Sequence, residues 1–173
     1  MTYVVGIKRD GIVAIISDSR VTFEHEGVSN NYALKTGAVF QGCIFGRAGD
    51  AQASAKFIKA ARGVVGSKTP SSNWLIFQEF VKSYPVSTDQ HFKLLISSRA
   101  SGKPKLYELD SRCGLVEVEG DTTWTSIGSG KELLDPIVEK CLNAAIPEGL
   151  TQEKLSEIAR DYNLTPENSI TGK

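Results

Sequence analysis

The order of hydrophobic periods along the chain predicts an α+β fold. Three observations carry that expectation. Two Val/Ile-rich runs, Thr2–Lys8 and Ile12–Ser17, flank the turn pair Asp10-Gly11 and read as a tight hairpin. Helical spacing follows after Asp50 and again after Pro70. From His91 the period returns to two, before helical spacing resumes beyond Gly130. Runs of like elements suit layered α+β domains better than alternating parallel units.

Each element has its own local reason. The first two strands are apolar on both faces, which predicts a sheet covered on two sides. A hairpin beginning at Thr2 ties down a part of the chain that is ordinarily loose. Either it is an edge strand, or something needs that end held. Ala38–Phe40 and Cys43–Arg47 suggest a second hairpin around Gln41-Gly42. Asp50 caps a helix through Ala51, Ala55, Ile58 and Ala61, ended by Gly63 and Gly66. Pro70 to Asn73 start another, with Trp74, Phe77, Val81 and Tyr84 on one face. Strands are expected at His91–Ser98, Lys105–Asp110, Leu115–Glu119 and Thr123–Ile127, separated by glycine-bearing turns. Leu133, Leu134, Ile137, Val138, Cys141 and Ala145 make a broad helical face. Thr151 caps a last helix through Leu155, Ile158 and Ala159. Without repeats or linkers, residues 1–173 read as one domain.

Composition excludes several classes. Lysine plus arginine equals aspartate plus glutamate at 20 each, so no net field attracts nucleic acid or an anionic membrane. No apolar run is long enough to span a bilayer, and Lys8, Arg9 and Asp10 break any signal-peptide pattern. Cys43, Cys113 and Cys141 lie far apart, without metal spacing, which suggests reduced thiols in a cytoplasmic protein. His25 and His91 are the two histidines, so a histidine-based metal site or a Ser-His-Asp triad has few candidates. His25, between Glu24 and Glu26, reads as a solvated loop, and His91 as a structural strand start. No metal and no cofactor is expected.

Two constellations bear on chemistry. Ile127–Glu132, "IGSGKE", resembles a phosphate loop but has Thr125 and Glu132 where that motif needs glycine and Ser/Thr. It reads better as a glycine-rich helix start whose amides hold an anion or a neighbouring terminus. In the first hairpin, the Asp10-Gly11 turn sets Thr2 opposite Ser19, leaving Asp18 one position away. A carboxylate there can hold a terminal ammonium or a nearby lysine. Alternatively, Asp18-Ser19-Arg20 is an exposed turn with a local ion pair. Lys35 and the track Phe45–Arg62 follow, where "GRAGDA" runs into the Asp-capped helix. A strand stopping there leaves free amides suited to a developing oxyanion.

Thr2, Asp18-Ser19-Arg20, Lys35, Gly46–Ala51 and Gly128-Ser129-Gly130 together resemble the β-type subunits of the proteasome, including the bacterial HslV peptidase. The resemblance is specific in order and spacing over Thr2–Arg62 and looser over His91–Arg160. It implies a four-layer αββα sandwich of the N-terminal-nucleophile hydrolases and a threonine-type peptidase. By that resemblance, Thr2 is the nucleophile once Met1 is removed, and its α-amine is the base. The reference pKa of such an amine, about 7.7–8.0, suits the role. Asp18 and Lys35 match the acid and lysine beside it, Gly49 the oxyanion-hole glycine, and Ser129 the serine near the amine. Thr22, Arg47 and Ala51 match the substrate pocket, with Arg47 as its floor. Members with arginine there prefer acidic residues before the cut. Arg47 pointing to solvent or pairing with Asp50 is the alternative. The implied partners are peptide or unfolded-protein substrates, further copies in a ring or stacked rings, and an ATP-dependent unfoldase.

This sequence departs from the pattern at its far end. The family's supporting Asp-x-x-Ser-Gly has Asn168-Ser169-Ile170-Thr171-Gly172 as its nearest counterpart, with Asp161 as a rival for the acid. The family's last strands are expected to be short or missing. Two other readings therefore stand beside the peptidase. One is a non-catalytic proteasome-like subunit for assembly or binding. The other is an N-terminal-nucleophile amidohydrolase acting on a small amide.

Overall fold

The structure is a computed structural model that describes residues 2–19, 21–23, 28–30, 34–66, 69–85, 90–120 and 123–144. It divides into two compact units, Met1–Lys131 and Glu132–Lys173.

The first hairpin forms as its turn predicts. Strands β1 (Val4–Arg9) and β2 (Ile12–Ser17) pair antiparallel from Arg9↔Ile12 to Val4↔Ser17. Asp10 at φ 51° and Gly11 at φ 74° give the turn its left-handed pair, which matches strand twist. Two short strands, β3 (Val21–Phe23) and β4 (Val28–Asn30), pair next. Hydrophobic periodicity did not reveal them, because three-residue strands are too short to establish a period. His25 and Arg20 lie outside the described residues.

Strands β5 (Thr36–Phe40) and β6 (Cys43–Gly49) make the second expected hairpin. Helix α1 (Ala51–Val64) follows at once, its first amides held by Asp50 Oδ1, which accepts from Gln52 N and Ala53 N at 2.9 Å each. Gly63 lies inside this helix rather than ending it. Helix α2 (Pro70–Ser83) starts on Thr69, whose Oγ1 accepts from Ser72 N, with Pro70 preset for the first turn. Then come β7 (Phe92–Ser98), β8 (Lys105–Asp110), β9 (Gly114–Glu117) and β10 (Thr123–Ile127).

These strands form two antiparallel sheets besides the β3–β4 ribbon. One has the order β10-β1-β2, the other β5-β6-β7-β8-β9. Alternation along β7 sends neighbouring side chains to opposite faces. Leu94 and Ile96 join Phe45, Phe57, Trp74 and Phe77 in the core between the larger sheet and the pair α1 and α2. Leu95 turns the other way, to Val4, Ile127 and Ala48, and this small cluster joins the two sheets. Two-sided burial is realised in β1, where Val4, Val5 and Ile7 are buried. It is not realised in β2, which borders one strand only among the described residues. Val13–Ser17 are half-buried there and Ile12 is 56% exposed.

Helix α3 (Lys131–Ala144) follows the Gly128-Ser129-Gly130 turn and carries Pro136 inside it. The broad apolar face read over this helix is incomplete, since Leu133 is 64% exposed. The last helix expected from Thr151, and the residues Asp161 and Asn168, lie outside the described residues.

Candidate active site

Three strand ends and one turn converge at Thr2. The β1–β2 ladder continues by one pair, with Asp18 N–H donating to Tyr3 O at 3.0 Å. Asp18 therefore stands opposite Tyr3, beside the Thr2 position, with no bulge required. Its Oδ1 accepts from Tyr3 N–H at 2.6 Å. The other oxygen, Oδ2, accepts from Lys35 Nζ at 2.6 Å. Lys35 Nζ also donates to Thr2 Oγ1 at 3.2 Å. Asp18 thus holds the nearby lysine, one of the two partners open to a carboxylate at this place.

Lys35 reaches this place because β5 pairs with β6 and Arg47 N–H donates to Lys35 O at 2.9 Å. The lysine side chain is 4% exposed. An ammonium so buried is costly unless paired and hydrogen-bonded, and Asp18 supplies the opposite charge. The result is a cation held against a threonine hydroxyl by a carboxylate behind it.

The opposite side of Thr2 is held by the turn after β10. Strand β10 pairs antiparallel with β1, Val4↔Ile127, which sets residues 128–130 beside the chain start. Thr2 N–H donates to Ser129 Oγ at 3.0 Å. Gly130 N–H donates to Thr2 O at 2.9 Å. Gly128, at φ 107°, lies against the same carbonyl. An added Cβ there would overlap the Thr2 oxygen and stand 2.9 Å from its carbon. Ser129 was the one residue of this turn assigned from the sequence. The glycines around it proved equally close, and the glycine-rich helix start was the signal for them.

Gly49 closes β6 at φ 87°, a conformation that favours glycine, directly before the cap of α1. It pairs with Phe92, while Asp50 N–H donates to His91 O at 3.0 Å. In an antiparallel ladder that bond marks a non-hydrogen-bonded pair, so the Gly49 N–H faces away from β7.

Arg47 neither points to open solvent nor pairs with Asp50. It is half-buried, with Nη1 donating to Ala51 O at 3.3 Å and Nη2 to Leu34 O at 3.2 Å. Burial lowers its guanidinium from the ordinary arginine value. Among the described residues no carboxylate forms an ion pair with it. Ala51 is exposed at the start of α1, and Thr22 sits in β3 opposite Ser29. Thr2, Asp18, Lys35 and Ser129 thus form one hydrogen-bonded group, and Arg47 and Ala51 a second at the β6–α1 junction.

No helix among the described residues is long and apolar enough to cross a membrane. Comparison of the sequence with protein-family profiles and with curated proteins finds no match. Among solved structures the chain is similar to eukaryotic HslV from Trypanosoma brucei. The TM-score is 0.66 at 17% identity, covering 94% of this chain and 88% of that one. At that identity the likeness shows the fold alone.

Proposed function

We propose that this chain is a threonine-type peptidase whose nucleophile is Thr2, exposed by removal of Met1. The observation that carries the reading is Lys35 Nζ, buried and hydrogen-bonded at once to Asp18 Oδ2 and Thr2 Oγ1. A free threonine can serve as nucleophile and base together. Its α-amine takes the hydroxyl proton as Oγ1 attacks the substrate carbonyl carbon. The nearby lysine charge disfavours protonation of that amine and eases loss of the hydroxyl proton. Gly49 N–H is the donor for the oxyanion. Collapse of the intermediate breaks the C–N bond, the leaving amine takes the proton, and an ester to Thr2 remains. Water, deprotonated by the amine, then hydrolyses the ester and restores Thr2.

The remaining parts of the reading follow from the same resemblance. Thr22, Arg47 and Ala51 line the pocket for the residue before the cut. The fold completes a four-layer αββα sandwich. The working form is a ring or stacked rings in the cytoplasm, served by an ATP-dependent unfoldase and fed with unfolded protein. Closed point-group symmetry is the usual form of soluble homo-oligomers, and a closed ring would enclose inward-facing sites.

The test begins with intact mass of the protein expressed without an N-terminal tag, where loss of Met1 is expected. Short peptides should be hydrolysed by this protein, and Thr2→Ala should abolish turnover while leaving the circular dichroism unchanged. Undiminished hydrolysis by Thr2→Ala would sink the mechanism. Light scattering should show a large oligomer. A monomer active only on small amides would favour the amidohydrolase, and a folded ring without turnover the non-catalytic subunit.

A further inference from the structure

Resting on the reading of Gly49 as oxyanion donor, we propose that His91 is a positioning residue for the Gly49 amide. It acts through its own carbonyl and through the clasp its ring makes with Asp110. The Gly49 backbone is seated directly on the His91–Phe92 peptide. An added Cβ at Gly49 would stand 2.6 Å from His91 O and 3.0 Å from Phe92 Cα. The next amide, Asp50 N–H, donates to that same His91 O at 3.0 Å. A shift of the His91 carbonyl therefore shifts the Gly49–Asp50 peptide, and through the Gly49 Cα the neighbouring peptide that carries the Gly49 N–H.

His91 precedes the first residue of β7, and what holds it is the end of β8. Its Nε2 lies 3.1 Å from Asp110 Oδ1. Asp110 is itself fixed, with Arg112 N–H donating to Oδ1 at 2.9 Å and Lys93 Nζ 3.2 Å from Oδ2. Beside it, Ser111 Oγ accepts from Phe92 N–H at 3.1 Å, and Ser111 N–H donates to Phe92 O at 3.0 Å. The ring thus adds a side-chain link, beside the Phe92–Ser111 bonds, between the end of β8 and the carbonyl under Gly49. None of this needs His91 to touch substrate. Two residues far from Thr2 in sequence become part of how the oxyanion site is held.

The full-length protein lacking Met1 tests this with His91→Ala and His91→Gln. The ring is 39% exposed, so truncation to alanine leaves no buried cavity. Glutamine keeps an N–H donor at similar reach. A fluorogenic peptide with Glu before the cut reports kcat and KM, and amide exchange reports on the peptide containing Asp50. His91→Ala should lower kcat about tenfold with KM unchanged, well short of losing an oxyanion donor outright. It should also speed exchange at Asp50 about tenfold, as local opening becomes easier. His91→Gln should restore both. Unchanged exchange in His91→Ala, a change confined to KM, or no recovery in His91→Gln would overturn the proposal. Should the parent protein hydrolyse no peptide, the peptidase reading fails alone, and the exchange data still decide the clasp.

Discussion

Lys35 Nζ donates to Asp18 Oδ2 at 2.6 Å, with the lysine side chain 4% exposed and the carboxylate 24%. The pair is asymmetric: the cation is sealed in and the anion remains partly in water. Removing the anion therefore strands a buried charge, whereas removing the cation leaves a carboxylate that water can reach.

Lys35→Ala should lower peptide hydrolysis by about a hundredfold or more, since proton transfer at Thr2 loses its nearby charge. Asp18→Asn should lower it less but cost more stability, because Lys35 then lacks its counter-ion. Steady-state rates with urea unfolding of both variants check the ordering. Parental rates in both would reduce Asp18 and Lys35 to a structural ion pair.

Arg47 is a half-buried guanidinium with two backbone carbonyls and, among the described residues, no carboxylate partner. Peptides with Asp or Glu before the cut should be hydrolysed faster than those with Leu or Arg. Arg47→Met should reverse that order, with about a tenfold or greater loss on the acidic peptides, the scale of a charge-assisted hydrogen bond. A substrate panel indifferent to acid in the parent protein would remove Arg47 from the pocket.

Gly128 leaves no room for a side chain beside the Thr2 carbonyl. Gly128→Ala should displace Thr2 and lower kcat by about a hundredfold, the cost of an ångström-scale misplacement. Melting temperature should fall far less than for a core truncation. Normal kcat would mean that Thr2 is not held by this turn during the reaction.

Burial pushes the Asp110 carboxyl up, but the Arg112 N–H, the His91 ring and Lys93 outweigh it and bring it down to about 2. The ordinary carboxylate value is about 3.9. A depressed folded value means that Asp110 contributes stability above about pH 4, lost as pH falls towards 2. Asp110→Asn should therefore be less stable than the parent at pH 7, with the gap closing between about pH 4 and pH 2. Urea unfolding at several pH values measures it. A gap independent of pH would place the loss in packing instead.

What the sequence determined by itself was local. Asp10-Gly11 selects a two-residue turn, and that turn alone sets Val4 opposite Ser17 and brings Asp18 beside the start of β1. Asp50 and Thr69 cap their helices because an oxygen one turn away satisfies amides that the helix cannot. The group Thr2, Asp18, Lys35 and Ser129 was legible as a whole only through the resemblance of its motif spacing to a known family, since periodicity says nothing of which distant strands meet. Tertiary structure decided the rest. Ser129 reaches Thr2 across 127 positions because β10 chose β1 as its partner. Arg47 settled on the carbonyls of Leu34 and Ala51 rather than on Asp50, whose carboxylate the helix had already claimed. His91 read as an ordinary strand start until the β6–β7 and β7–β8 pairings set its carbonyl under Asp50 and its ring on Asp110. Such choices are made by burial and hydrogen-bond satisfaction over the whole chain at once, and no short window of sequence contains them.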